Sequence, residues 1–179
     1  GWKAPGGTLE ATQGQVEVER VVCISDVHCP HHDQRAWAAA LSLVRELRPN
    51  RVMLMGDFME TESVSRHAKS RPDLVRLAEE FYSANVLLDE LQDAAPSASF
   101  LYLAGNHEDR VHKWCCEFGT MDGMLNVPEA LYMTPRGEYH RATDNLRGMT
   151  WVGLERQPYV QSGVGYLHGV FETVNHAMQ

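Results

Sequence analysis

Three short apolar runs punctuate the first part of the chain: residues 20–25 (RVVCIS), 51–55 (RVMLM) and 99–104 (SFLYLA). None alternates with polar residues, and β-branched or large apolar side chains dominate them, which predicts buried strands. Between them the period lengthens. Residues 33–48 place Trp37, Ala40, Leu41, Val44 and Leu47 on one helical face, and Pro49 ends the pattern. Residues 72–94 place Leu74, Leu77, Phe81, Leu88 and Leu91 on another, with Pro72 suited to a first turn. Strands alternating with helices of this length predict βαβ units and a parallel sheet. Residues 108–118 read as a further helix, with Gly119 as its C-terminal cap. Beyond residue 139, short runs at 149–154 and 163–167, separated by Gly, Pro and Gln, predict strands of a second sheet. The expected architecture is α/β (α+β), two packed β-sheets flanked by helices.

The polar residues that follow the apolar runs carry the chemistry. After the first run comes Asp26-Val27-His28, and after the second Gly56-Asp57-Phe58-Met59-Glu60. Gly105-Asn106-His107-Glu108 follows the third, and Gly165-Tyr166-Leu167-His168-Gly169 closes the series. In a parallel sheet, ligands collect outside the carboxyl ends of the strands. Asp26, Asp57 and Asn106 each fall there, so residues far apart in sequence are expected at one edge. Carboxylate, amide and imidazole donors on separate loops suit a pair of divalent cations. Asp26 and His28, two apart, would share one cation if their loop is extended. Asp57 has two oxygens with which to bridge, and Asn106 and His168 would serve the second cation. His107 follows a ligand directly and is free to meet substrate. Glu60 and Glu108 are expected behind the ligands as orienting partners, although Glu108 is equally read as a first-turn acid favoured by the helix dipole. The loop after Asp57 brings Arg66 and His67 within reach of a phosphate as a lesser expectation. His31 and His32 read as exposed loop histidines, His112 and His140 as solvated, and Cys29 as packing. Cys115 and Cys116, adjacent on a helix, cannot both face one zinc ion.

These residues closely resemble the calcineurin-like metallophosphoesterase superfamily, whose pattern runs DxH, GDxx[DE], GNH[DE], a lone His, then GHxH. The match extends from about residue 20 to His168. The resemblance implies a metallophosphoesterase-like four-layer sandwich and a hydrolase acting on phosphomonoesters or phosphodiesters through a dimetal-activated hydroxide. It assigns Asp26, His28 and Asp57 to the first metal, Asp57, Asn106 and His168 to the second, and the catalytic role to His107. Mn is the first expectation for the cation pair, with Fe, Zn, Co or Ni as alternatives. The contexts around Pro30, His32 and residues 65–67 look most like small phage- or prophage-type members. No GHxH follows His168, and residues 171–179 read like the helix that normally precedes it. A member truncated before its last histidine pair is therefore expected. The alternative is a catalytically weak metal-binding fragment, or a module that another polypeptide completes.

Composition adds bounds. The 179 residues suffice for one domain, read as a lead-in over 1–19 and a metallophosphoesterase domain over 20–179. A formal charge of −8 argues against a broad nucleic-acid surface without excluding a nucleic-acid substrate. The first 19 residues are polar and no run is long enough for a membrane span, so a cytoplasmic protein with no membrane partner is expected. The four cysteines do not form a disulfide framework. The partner implied is a phosphate-ester substrate, with a homo-oligomer left open.

Overall fold

In the computed structural model, residues 18–66, 75–119, 125–135, 147–154, 159–161 and 163–166 are described. The three apolar runs form β1 (Val21–Ile24), β2 (Arg51–Met55) and β3 (Ser99–Leu103). They lie side by side and parallel, with Ile24 opposite Leu54 and Met55 opposite Leu103. Their carboxyl ends are thus level, which puts the loops that follow at one edge. β4 (Thr134–Pro135) and β5 (Met149–Val152) extend this sheet in the order β1-β2-β3-β5-β4, all neighbours parallel. The run at 149–154 was expected in the second sheet. Its core-facing Met149, Trp151 and Val152 instead continue the main sheet beyond β3. The second sheet, among the described residues, is β6 (Tyr159–Gln161) paired antiparallel with β7 (Val164–Tyr166).

Alternation along the strands separates two cores. Val52, Leu54, Phe100, Tyr102 and Trp151 face α1 (Gln34–Leu47) and α2 (Leu77–Ala94), packing with Trp37, Leu41, Val44, Phe81, Leu88 and Leu91. Met53, Leu101, Leu103 and Val152 face the other way, toward Tyr159 and Tyr166 of the small sheet. Both faces are covered, so β2 and β3 carry no polar face. β1 differs from expectation: it is an edge strand of the described sheet, half-buried, with Cys23 exposed.

The helices start and stop where local chemistry allows. Asp33 caps α1 by accepting the amides of Arg35 at 2.8 Å and Ala36 at 3.0 Å. Leu47, expected inward, is exposed at the last turn. α2 begins at Leu77, later than the pattern suggested. Arg76 is extended, with its amide taken by Glu79 at 2.9 Å, and Pro72 and Leu74 lie outside the described residues. α3 (Asn106–Glu117) begins two residues earlier than expected, so Asn106 and His107 sit in its first turn. Phe118, not Gly119, caps its end, donating to the Trp114 carbonyl at 3.2 Å. A short α4 (Val127–Ala130) precedes β4. Among the described residues, no helix is long and apolar enough to cross a membrane.

Candidate metal centre

The loops after β1 and β2 run alongside one another past the ends of their strands. Asp26 donates its amide to the Gly56 carbonyl at 3.1 Å, His28 to Asp57 at 3.0 Å, and Cys29 to Phe58 at 2.8 Å. Asp26, His28 and Asp57 all adopt left-handed backbone, with φ of 54°, 53° and 50°. Such conformations cost on the order of 1–3 kcal/mol each and persist where the surroundings enforce them, typically at functional sites. The loop expected to be extended is therefore coiled, yet Asp26 and His28 still meet, with Nε2 of the imidazole 3.8 Å from Asp26 Oδ1.

Two groups of donors converge here: Asp26, His28 and Asp57, and His28, Glu60 and His107, each with ligand atoms within 4.8 Å of one another. Hydrogen bonding separates them. His28 Nδ1 lies 2.8 Å from Glu60 Oε2, which assigns the proton to Nδ1 and leaves the Nε2 lone pair facing Asp26. A metal-ligating histidine characteristically gives its other N–H to a carboxylate in this way. The donor set Asp26 Oδ1, His28 Nε2 and Asp57 carboxylate thus fits a divalent cation, and Glu60 stands behind it as expected.

Asp57 is buried, and its Oδ1 accepts the His107 amide at 2.9 Å from the first turn of α3. Gly105 packs so closely that a methyl group there would overlap both Asp57 Oδ1 and the Asp57 amide nitrogen. This close approach, rather than any left-handed φ, is what requires glycine before Asn106. Asn106 opens α3 half-buried at the same edge. His168 and His67 lie outside the described residues.

His107 is more enclosed than the sequence suggested. Its ring meets that of His28 edge-on at 4.7 Å, and Nδ1 donates to the Glu60 carbonyl at 2.8 Å. Nε2 accepts from the Arg110 guanidinium at 2.8 Å and lies 3.9 Å from Asp57 Oδ2. Burial lowers the His107 pKa, with Arg110 and His28 acting in the same direction against Asp57 and Glu60. Arg110 also donates to the Glu60 carbonyl at 3.1 Å, and Thr61 Oγ1 to the His107 carbonyl at 2.6 Å.

Glu108 settles between its two expected readings. It does take the Gly105 amide at 2.8 Å, as a first-turn acid would. The same buried carboxylate accepts the Asp57 amide at 3.1 Å, the Met59 amide at 3.0 Å and the Tyr102 hydroxyl at 2.7 Å. Hydrogen bonds to a buried charge are worth about 1.5–3 kcal/mol each, so this carboxylate is a principal tie between the two loops. Tyr102, fully buried, has its pKa raised well above the usual value by burial and then by Glu108, and it remains a donor.

The other expected residues lie apart from the cluster. Arg66 is exposed and paired with Glu117 at 2.8 Å, at the far end of α3. His31 lies 3.6 Å from Glu62. Cys29 is fully buried, and burial pushes its thiol up, so packing is its role. Cys115 is buried and Cys116 exposed beside His112, as adjacency on a helix requires.

Tyr102, Arg110 and Thr61 escaped the sequence reading. Two of them carried a signal: a tyrosine on a core-facing strand position needs a partner for its hydroxyl, and Arg110 is three residues from His107 on one helix.

A parallel α/β sheet gathers carboxylate and imidazole donors at its carboxyl edge, an arrangement that suits divalent cations. The family model for calcineurin-like phosphoesterases matches residues 19–176, and the chain belongs to that family of hydrolases acting on phosphoester bonds. Comparison with curated proteins and with solved structures gives no match.

Proposed function

We propose that the chain hydrolyses a phosphomonoester or phosphodiester at a centre for two divalent cations, with Mn²⁺ the first choice. Asp26, His28 and Asp57 hold the first cation; Asp57, Asn106 and His168 hold the second. The observation that carries the reading is the Asp26–His28–Asp57 cluster, with its bare Nε2 lone pair and its Glu60 backing. Bound cations would supply the positive charge that acidifies water near neutral pH and offsets charge on the transferring phosphoryl group.

The protein's own groups do the rest. Asp57 faces the cluster because its Oδ1 is held by the His107 amide. Glu60 fixes the His28 tautomer through its carboxylate and accepts the His107 Nδ1 proton at its carbonyl. His107 Nε2 and the Arg110 guanidinium, 2.8 Å apart, form a half-buried pair beside Asp57. A phosphoryl oxygen takes the Arg110 N–H in place of Nε2, and His107, protonated from solvent at the Nε2 so freed, gives that proton to the leaving oxygen and returns to the neutral ring.

The test is hydrolysis of bis(p-nitrophenyl) phosphate and p-nitrophenyl phosphate, with and without Mn²⁺, by the wild-type chain and Asp57→Asn. Mn²⁺-dependent turnover that the substitution abolishes is expected, and the ratio of the two substrates separates diester from monoester chemistry. Turnover that needs no cation, or that survives in Asp57→Asn, overturns the reading.

A further inference from the structure

We infer that Tyr102 and Glu108 form a buried positioning pair that fixes the Asp57 backbone and thereby sets the cation affinity of the centre; the inference rests on the metal-centre reading above. Neither residue belongs to the donor cluster, and both act through Asp57. Glu108 is 1% exposed and Tyr102 0%. The Glu108 carboxylate takes two donors on each oxygen. Oε2 accepts the amides of Asp57 and Gly105, and Oε1 accepts the Met59 amide and the Tyr102 hydroxyl. Asp57 and Met59 belong to the loop after β2, and Gly105 to the loop after β3. One carboxylate therefore holds both loops in register.

The consequence for the donor set follows from the backbone. Asp57 sits at φ 50°, a conformation that needs external support, and its amide is one of the four groups gathered by Glu108. Gly105 is drawn against Asp57 by the same carboxylate, which brings the His107 amide to Asp57 Oδ1 at 2.9 Å. The direction of the Asp57 carboxylate is thus set by contacts at its amide and at Oδ1. Tyr102 fixes the clamp in turn. Its ring stacks on Trp151 at 4.8 Å and meets Phe58 edge-on at 5.9 Å, so packing delivers the hydroxyl to Oε1. Removal of that hydroxyl leaves a buried carboxylate oxygen with one donor and loosens its hold on Met59 and the loop that carries Asp57.

Tyr102→Phe removes the hydroxyl and keeps the packed ring. Two measurements on the full chain test the inference: Mn²⁺ titration followed by calorimetry, and amide hydrogen exchange without cation. Outer partners of ligands typically change metal affinity 10–100-fold. The expected result for Tyr102→Phe is a Mn²⁺ dissociation constant raised about tenfold. Faster exchange at Asp57, Met59 and Gly105 is expected alongside, with α1 and α2 exchanging as in the wild type. Glu108→Gln is expected to shift both in the same direction and further. A merely structural role would speed exchange across α1 and α2 and leave the affinity of the folded chain unchanged, and that result overturns the inference. Wild-type binding with unchanged affinity in Tyr102→Phe overturns it alone. A wild-type chain that takes up no Mn²⁺ overturns the metal-centre reading and the affinity claim together.

Discussion

Replacement of Gly105 by alanine sets two opposed effects against each other at the centre. At a position with unstrained backbone, Gly→Ala stabilises a protein by about 0.4–1 kcal/mol, because the unfolded chain loses freedom. The φ of Gly105 is −95°, which alanine adopts without strain, so conformation alone predicts a gain. The added methyl, however, would overlap Asp57 Oδ1 and the Asp57 amide nitrogen. The first is an oxygen held by the His107 amide and the second is backbone held by Glu108, so neither swings aside. Overpacking of this kind costs about 1–3 kcal/mol, and sterics exceed the entropic gain. A net loss of about 1–2 kcal/mol corresponds to a fall in Tm of roughly 2–8 °C for a chain of this size. The assay is thermal unfolding of Gly105→Ala and wild type without added cation, followed by Mn²⁺ titration of both. A lower Tm and weakened Mn²⁺ uptake are expected. A Tm equal to or above that of the wild type would refute the reasoning, because it would mean the two loops separate freely.

Three further outcomes follow from other contacts. Glu80 is buried and accepts the Ser63 amide at 3.3 Å, and burial raises its pKa. Its native state holds the proton more tightly than the unfolded state, so its contribution to stability is full below about pH 4.3 and is lost as pH rises through the raised native value. Glu80→Gln should therefore flatten the pH dependence of Tm and raise Tm at pH 7, and an unchanged profile would contradict this. Arg110→Ala removes the donor to His107 Nε2 and should lower kcat on the order of 10²-fold in steady-state assays, with Arg110→Lys in between. Arg66→Ala breaks an ion pair whose arginine is 75% exposed, so unfolding should shift by less than about 1 kcal/mol. KM should hold in Arg66→Ala, and a raised KM would mean that Arg66 leaves Glu117 for substrate.

Much of the fold was legible because burial on both faces leaves a plain mark. β2 and β3 read as continuous apolar runs, and the carboxyl ends of β1, β2 and β3 place Asp26, Asp57 and Asn106 at one edge. The assignment of β5 failed for a physical reason. A short strand with mixed neighbours carries no record of which sheet it joins, and parallel pairing with β3 is a long-range event. The α2 start was misjudged because Pro72 is a local signal, whereas the observed boundary depends on Glu79 capping Arg76. At the centre, residue types and spacing singled out Asp26, His28 and Asp57, which the fold brings together. They did not reveal the left-handed backbone at Asp26, His28 and Asp57, because that conformation is enforced by pairing between two loops. For Glu108 they left two readings open, an orienting partner of the ligands and a first-turn acid. A glutamate three residues past a glycine reads as an ordinary helix cap, and only the fold brings Asp57, Met59 and Tyr102 to its carboxylate.

The most direct test of the central claim is to locate the cation itself. Crystals of the chain soaked in Mn²⁺ and measured at the manganese absorption edge would show its position by anomalous scattering. The account predicts a peak bounded by Asp26, His28 Nε2 and the Asp57 carboxylate, with the His28 Nδ1–Glu60 hydrogen bond intact. A peak held instead by His28 Nδ1, Glu60 and His107, or no peak at this edge of the sheet, would contradict it.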